Sequence, residues 1–199
     1  MITYKADITA GALKVPESRL IAGLLLEETD AAGWKTAIET DNILQARHRT
    51  TAIRLAKLIR DRLDTMTPEL WKLVRDGSTQ VATHALLACA VKQSRLLADF
   101  LELVVKDHFR RFEPKLSRPE WERFLENCAA RDPNVSRWTP STRARLRSTV
   151  FQTLVQAGYL SDSRQLNLQR IQIEPSVVSY LERQHEQAVL RCLKVSDQF

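Results

Sequence analysis

The sequence predicts an all-α fold, mainly helical, with one short β-hairpin wing. Three observations carry this. Glycine and proline are scarce, 5 and 7 in 199 residues, whereas a sheet-rich chain of this length needs more turn residues. Apolar residues recur at i, i+3, i+4 spacing along most of the chain. Pro16, Pro68, Pro119, Pro140 and Pro175 each precede such a run, and proline is favoured in the first helical turn, where its missing N–H has no partner to lose.

Pro16 opens PESRLIAGLLLEE, with an apolar stripe of Leu20, Ile21, Leu24 and Leu25. In GWKTAIETDN, Trp34, Ala37 and Ile38 are spaced for one or two buried turns, and Asp41 or Asn42 is placed to cap the next helix. That helix is long and basic, Ile43 to Leu63. Thr67 and Pro68 start PELWKLVRDG, which Gly77 stops. Ser78 begins a long apolar stretch through Phe112, the expected central core helix or helix pair, ended by Pro114. Pro119 opens PEWERFLENCAARD, which carries Trp121, Phe124, Leu125 and Cys128 on one face and ends at Pro133. Thr139 caps and Pro140 starts a second basic helix, closed by Gly158. In YLSDSRQLNLQRIQIEP, Leu166 and Leu168, then Ile171 and Ile173, alternate with polar residues and slip once near Gln169–Arg170, as in a short irregular hairpin. Pro175 opens the last helix, PSVVSYLERQHEQAVLRCL. The chain divides into helix-turn-helix-like helices (1–66), central core helices (67–118) and a winged-helix-like segment (119–199), expected to form one globular unit.

Charge gives the functional lead. From Arg47 to Arg62 stand six Lys/Arg and one Asp, and from Arg137 to Arg170 six Arg and one Asp, net +5 each, in a chain of net +6. Two elements therefore concentrate the positive charge, which points to a polyanion, most simply nucleic acid. The C-terminal order of helix, turn, basic helix and hairpin is a winged-helix plan, and a helix about 10–12 Å across fits the major groove of double-stranded DNA.

Helical geometry sorts the faces. On the second basic helix Leu146, Val150, Leu154 and Ala157 face inward, and Ser141, Arg145, Ser148, Thr149 and Gln152 outward. Arg147 should snorkel at the edge, and Arg164 and Arg170 fall on the wing. On the first, Ala52, Leu55, Ala56, Ile59 and Leu63 face inward, Arg47, Thr50, Arg54 and Lys57 outward, with Arg49 and Arg60 flanking. Arg47, His48 and Arg49 oppose the helix dipole, so stability alone does not explain them. The candidate DNA-binding set is Arg47, Arg49, Thr50, Arg54, Lys57, Arg60, Arg143, Arg145, Ser148, Thr149, Gln152, Arg164 and Arg170. Outward Asn and Gln are few, which favours phosphate contacts with little sequence preference.

Other classes are disfavoured. Cys89, Cys128 and Cys192 are odd in number and widely spaced, as expected of buried small hydrophobes in a reducing cytoplasm. The opening MITYKADITAG is too polar for a signal peptide. The longest uncharged run, Gly77 to Val91, is too short to span a membrane. His48, His84, His108 and His185 are scattered, and His185 reads as a boundary residue on a stripe with Val178, Leu181 and Cys192. Val189 stands where a zinc-protease helix needs histidine, no C-x-x-C exists, and the five glycines form no phosphate loop. Glu27–Glu28 reads as a solvated face. The expectation is a non-enzymatic protein with no catalytic residue, cofactor or metal.

The segments KADITAGALKVPESRLIAGLLLEE, DNILQARHRTTAIRLAKLIRDRLDTM, PELWKLVRDG and ATHALLACAVKQSRLLADFLELVV resemble the BrxA family, a small core component of bacteriophage exclusion (BREX) defence systems. The resemblance covers nearly the whole chain, best over residues 5–112. It implies an all-helical fold of the NusB type with helix-turn-helix-like elements. It also implies a cytoplasmic protein acting beside a DNA methyltransferase, a phosphatase-like protein, a large ATPase and a protease-like ATPase. It carries over no catalytic motif. Double-stranded DNA is the expected ligand. The alternatives are a helical adaptor that docks an acidic partner, with Trp71, Leu73 or the C-terminal helix as anchors, and binding of structured RNA.

Overall fold

The structure, a computed structural model, describes residues 2–196 and is all-α. A 3-10 turn, Asp7–Ala10, leads into α1 (Val15–Leu26). Then α2 (Ala31–Lys35) runs on through a π turn, Thr36–Thr40, followed by α3 (Arg49–Leu63), α4 (Pro68–Asp76) and α5 (Thr79–Gln93). A second π turn, Leu101–Val105, joins α6 (Arg95–Phe100) to α7 (Lys106–Arg111). Next come α8 (Arg118–Arg131), a 3-10 turn Pro133–Arg137, α9 (Pro140–Gln156), α10 (Pro175–Arg183) and α11 (Gln187–Leu193).

Local chemistry sets most of these boundaries. Proline occupies the first turn of α1, α4, α8, α9 and α10. Ser78, Ser94 and Thr139 accept backbone N–H groups at the starts of α5, α6 and α9, which satisfies donors that have no intrahelical partner. Gly77 ends α4 at a point where a Cβ would lie 2.5 Å from the Leu73 carbonyl oxygen. Gly158, at φ 89°, takes the left-handed turn after α9.

The core centres on α5, which is buried without interruption from Ala82 to Val91. Helices α1, α3, α4, α6, α10 and α11 all pack on it, so it has no polar face. Beside it, Phe100 of α6 lies 5.4 Å from Trp121 and 5.2 Å from Phe124 of α8, and 6.0 Å from Phe151 of α9. The buried apolar residues form one cluster from Tyr4 to Val195. Among the described residues no helix is long and apolar enough to cross a membrane.

Three expected elements differ. The first basic helix begins at Arg49, not Ile43. Asn42 and Gln45 adopt φ 47° and 50°, and the Asn42 amide both donates to and accepts from the Ala46 backbone. This local loop holds Leu44 in the core, and neither Asp41 nor Asn42 caps the helix. Second, the wing hairpin does not form. Among the described residues only isolated bridges occur, Lys115 with Asn167 and Leu160 with Leu168. Leu166 turns into the core at φ 56°, and the N–H groups of Leu168, Ile171 and Glu174 donate to Pro114, Ser196 and His84 respectively. Pairing with the preceding stretch is confined to the Leu160–Leu168 bridge, where the Ser161 N–H donates to Asn167 and the Gln169 N–H to Tyr159; the rest of the segment satisfies its backbone against separate elements. Third, the last helix breaks at His185, which is exposed at φ 57° and belongs to no apolar stripe.

Candidate nucleic-acid interface

Helix α3 buries the predicted face, Ala52, Leu55, Ala56, Ile59 and Leu63, together with Leu58 and Arg62. Arg47, Arg49, Thr50, Arg54, Lys57 and Arg60 are exposed, but their charges are not equally available. Arg49 pairs with Glu39, which also offsets its unfavourable place at the helix N-terminus. Lys57 lies 2.9 Å from Asp61. Arg60 lies 3.6 Å from Asp64 and stacks 4.7 Å from the Trp34 ring centroid. Arg47 and Arg54 have no acidic partner among the described residues.

Arg62 is no surface cation. It is 1% exposed; Nη1 donates to the Ala12 carbonyl at 2.8 Å, and Nη2 and Nε reach Gly11 and Gln93 at 3.5 and 3.4 Å. Burial lowers its pKa to about 10.

Helix α9 buries Leu146, Val150, Leu154 and Ala157 as predicted, and also Phe151 and Thr153. Thr149 is buried as well, at 8% exposure, so it leaves the candidate set. The physical reason is that α9 is held on two sides. Phe151 packs on Phe100 and Trp121, while another part of the helix meets the Asp7–Ala10 turn, and the buried arc is wider than one stripe. Arg145, Ser148 and Gln152 are exposed. The Ser148 hydroxyl donates to the Ala144 carbonyl at 2.9 Å, so its proton is already engaged. Arg147 snorkels as expected, half-buried and 3.1 Å from Glu122. Arg143 is half-buried beside Trp138 and Pro140, and its Nε has no hydrogen-bond partner. Arg164 and Arg170 are exposed on the loop that replaces the wing.

The ends of the two basic helices converge. Arg62 of α3 holds Ala12, and Gln156 of α9 accepts the Leu13 N–H at 2.9 Å. Both helices also pack on the Asp7–Ala10 turn. The proposed adaptor anchors are engaged within the fold: Trp71 Nε1 donates to Leu63, and Leu73 packs on the core. All three cysteines are free and buried, and burial pushes Cys89 up to about 12 and Cys128 and Cys192 to about 11.

One chemically notable group was not foreseen from the sequence. His108, Glu113 and Glu120 bring a ring nitrogen and two carboxylates within 4.8 Å of one another. Their spacing matches no short motif. The only local signals are the Ser117-x-x-Glu120 capping box and the helix end before Pro114.

The BrxA family model matches residues 2–185. The chain is 52% identical to the BREX protein BrxA of Paramagnetospirillum magneticum, over 97% of each chain. It is 33% identical to the BREX protein BrxA of Escherichia coli O9:H4, over 94% of this chain and 88% of that relative. Among solved structures, an uncharacterized protein from Magnetospirillum magneticum superimposes with a TM-score of 0.89 at 51% identity, covering 97% of this chain and 99% of that one.

Proposed function

The chain belongs to the BrxA family of BREX phage-defence proteins, and from that premise we propose that it is a non-enzymatic accessory subunit that binds double-stranded DNA along the phosphate backbone. The observation that carries the reading is that five candidate arginines are exposed and form no salt bridge among the described residues: Arg47 before α3, Arg54 on α3, Arg145 on α9, Arg164 and Arg170 on the following loop. A cation already held by a carboxylate gains little from a phosphate, because the second contact must break the first. Arg49, Lys57, Arg60 and Arg147 are thus secondary, and Ser148 and Gln152 complete the outer face of α9. Single arginines presented with few outward Asn or Gln suit phosphates rather than base edges. Other BREX components are its expected partners, with the basic surface left to DNA.

The test is binding of Arg54→Ala and Arg145→Ala to unrelated duplexes. Each variant should weaken binding to all of them alike and make the slope of log K against log salt shallower by about one unit. An unchanged slope for either variant removes that helix from the interface. Tighter binding of structured RNA than of duplex DNA would favour the RNA reading. Failure to bind any duplex at low salt would leave the basic faces as docking surfaces for an acidic partner.

A further inference from the structure

From the geometry around the end of α7 we infer a binding site for a divalent transition-metal ion, with His108, Glu113 and Glu120 as its three protein ligands. The inference is independent of the DNA reading.

His108 is buried, its side chain 7% exposed. Its Nδ1 lies 2.9 Å from the Val104 carbonyl oxygen. A carbonyl only accepts, so Nδ1 carries the hydrogen and Nε2 is the coordinating atom. Nε2 points at two carboxylates, 2.5 Å from Glu120 Oε1 and 3.3 Å from Glu113 Oε2. Three electron-pair donors thus converge on one point. A backbone carbonyl that fixes the far ring nitrogen is the usual second-shell arrangement of a metal-bound histidine.

Each carboxylate is also held in place. Phe112 adopts a left-handed φ of 57°, and the N–H groups of Phe112 and Glu113 return to Phe109 and His108. This closes α7 in a Schellman turn and folds Glu113 back over the imidazole it follows. Glu120 is the third residue of α8, and the Ser117 N–H donates to its Oε2. That capping bond leaves Oε1 aimed at His108. Asp107 is taken by Arg111 at 3.1 Å and is no ligand.

The dimensions fit. With bonds of about 2.0–2.1 Å, tetrahedral zinc ligands stand roughly 3.3 Å apart. Glu113 is at that separation from Nε2 already, and Glu120 has to retreat by less than an ångström. The remaining position opens into a cavity of about 550 Å³. Arg111, Arg123 and Arg131 line its wall, and Arg123 is 4.0 Å from Glu120. They offset the carboxylates and would favour an anion or water as the fourth ligand. One imidazole with two carboxylates suits zinc or manganese rather than calcium or copper(I).

The competing occupant of the same point is a proton, which would make His108 an imidazolium clamped by two carboxylates. Zinc titration of the full chain, followed by calorimetry near pH 7.5, separates the two. The expected result for the wild type is one equivalent bound at micromolar affinity or better. Glu113→Gln and His108→Asn should each weaken it at least about tenfold. Glu113 is exposed, so Glu113→Gln keeps the fold, and its metal-free unfolding curve checks this. His185→Gln, at an exposed histidine away from the site, should leave the affinity unchanged. No saturable zinc binding, or binding unaffected by Glu113→Gln and His108→Asn, overturns the inference and leaves the imidazolium clamp.

Discussion

Arg62→Ala and Arg62→Met should differ clearly in stability, and neither should change how DNA affinity depends on salt. Burial lowers the Arg62 pKa from 12.5 to about 10, which corresponds to about 3 kcal/mol of desolvation cost that either variant relieves. Losing the guanidinium leaves the Ala12 carbonyl without its 2.8 Å donor, at a cost of about 1–3 kcal/mol. These effects nearly cancel, so Arg62→Met, which keeps most of the volume, should stay within about 2 kcal/mol of the parent. Arg62→Ala also opens a cavity under α3 and costs a further 2–4 kcal/mol or so, about 2 kcal/mol net. The entropy of unfolding of a chain this long is about 0.4 kcal/mol/K, so the alanine variant should melt about 5 °C lower. Reversible thermal unfolding followed by circular dichroism reads the difference. An unchanged Tm for Arg62→Ala, together with a salt slope shallower by one unit, would refute the reasoning and return Arg62 to the surface.

Three other predictions test the packing and its ionisation. Trp121→Ala removes a fully buried ring in contact with Phe100, Phe124 and Phe151 and should cost about 3–5 kcal/mol, lowering Tm by about 10 °C; Trp121→Phe should lose clearly less, since the indole N–H has no partner to forfeit. His84 accepts the Glu174 N–H through Nδ1, and burial lowers its pKa below 6.5. The folded state therefore binds the proton less readily than the unfolded one, so its contribution is complete above pH 6.5 and lost as pH falls through the folded value. Tm measured from pH 7 to 5 should fall less steeply in His84→Asn, and equal slopes would refute this. The three cysteines, buried with raised pKa values, should resist a thiol reagent at pH 8 until denaturant is added; fast labelling of any one in the native state would contradict its burial.

The helix starts were legible because their chemistry is local. A proline, a serine or threonine cap and the first apolar pair sit within one turn, and α4, α8 and α9 begin where those signals stand. Arg62 could have been read as internal, since it falls three residues after Ile59 and seven after Leu55, on the buried arc. Thr149 was misassigned for the converse reason: its neighbours three and four positions away, Leu146 and Thr153, are both buried, and the inward face was drawn too narrow. The alternation of Leu166, Leu168, Ile171 and Ile173 describes a strand and equally a loop that drops apolar side chains one at a time into a core. Only the destinations of the backbone N–H groups, which are tertiary, tell them apart. The grouping of His108 with Glu113 and Glu120 is tertiary too, because it needs a left-handed turn at Phe112, where a non-glycine residue is not expected.

The central claim is that Arg47, Arg54, Arg145, Arg164 and Arg170 form a backbone-binding surface for DNA. The most direct measurement is fluorescence anisotropy of a labelled random duplex titrated with the purified full chain across a series of salt concentrations. Five arginines, each neutralising one phosphate, give a slope of log K against log salt of about −4.5, with unrelated duplexes competing equally. A flat salt dependence, or no binding at low salt, would contradict the account.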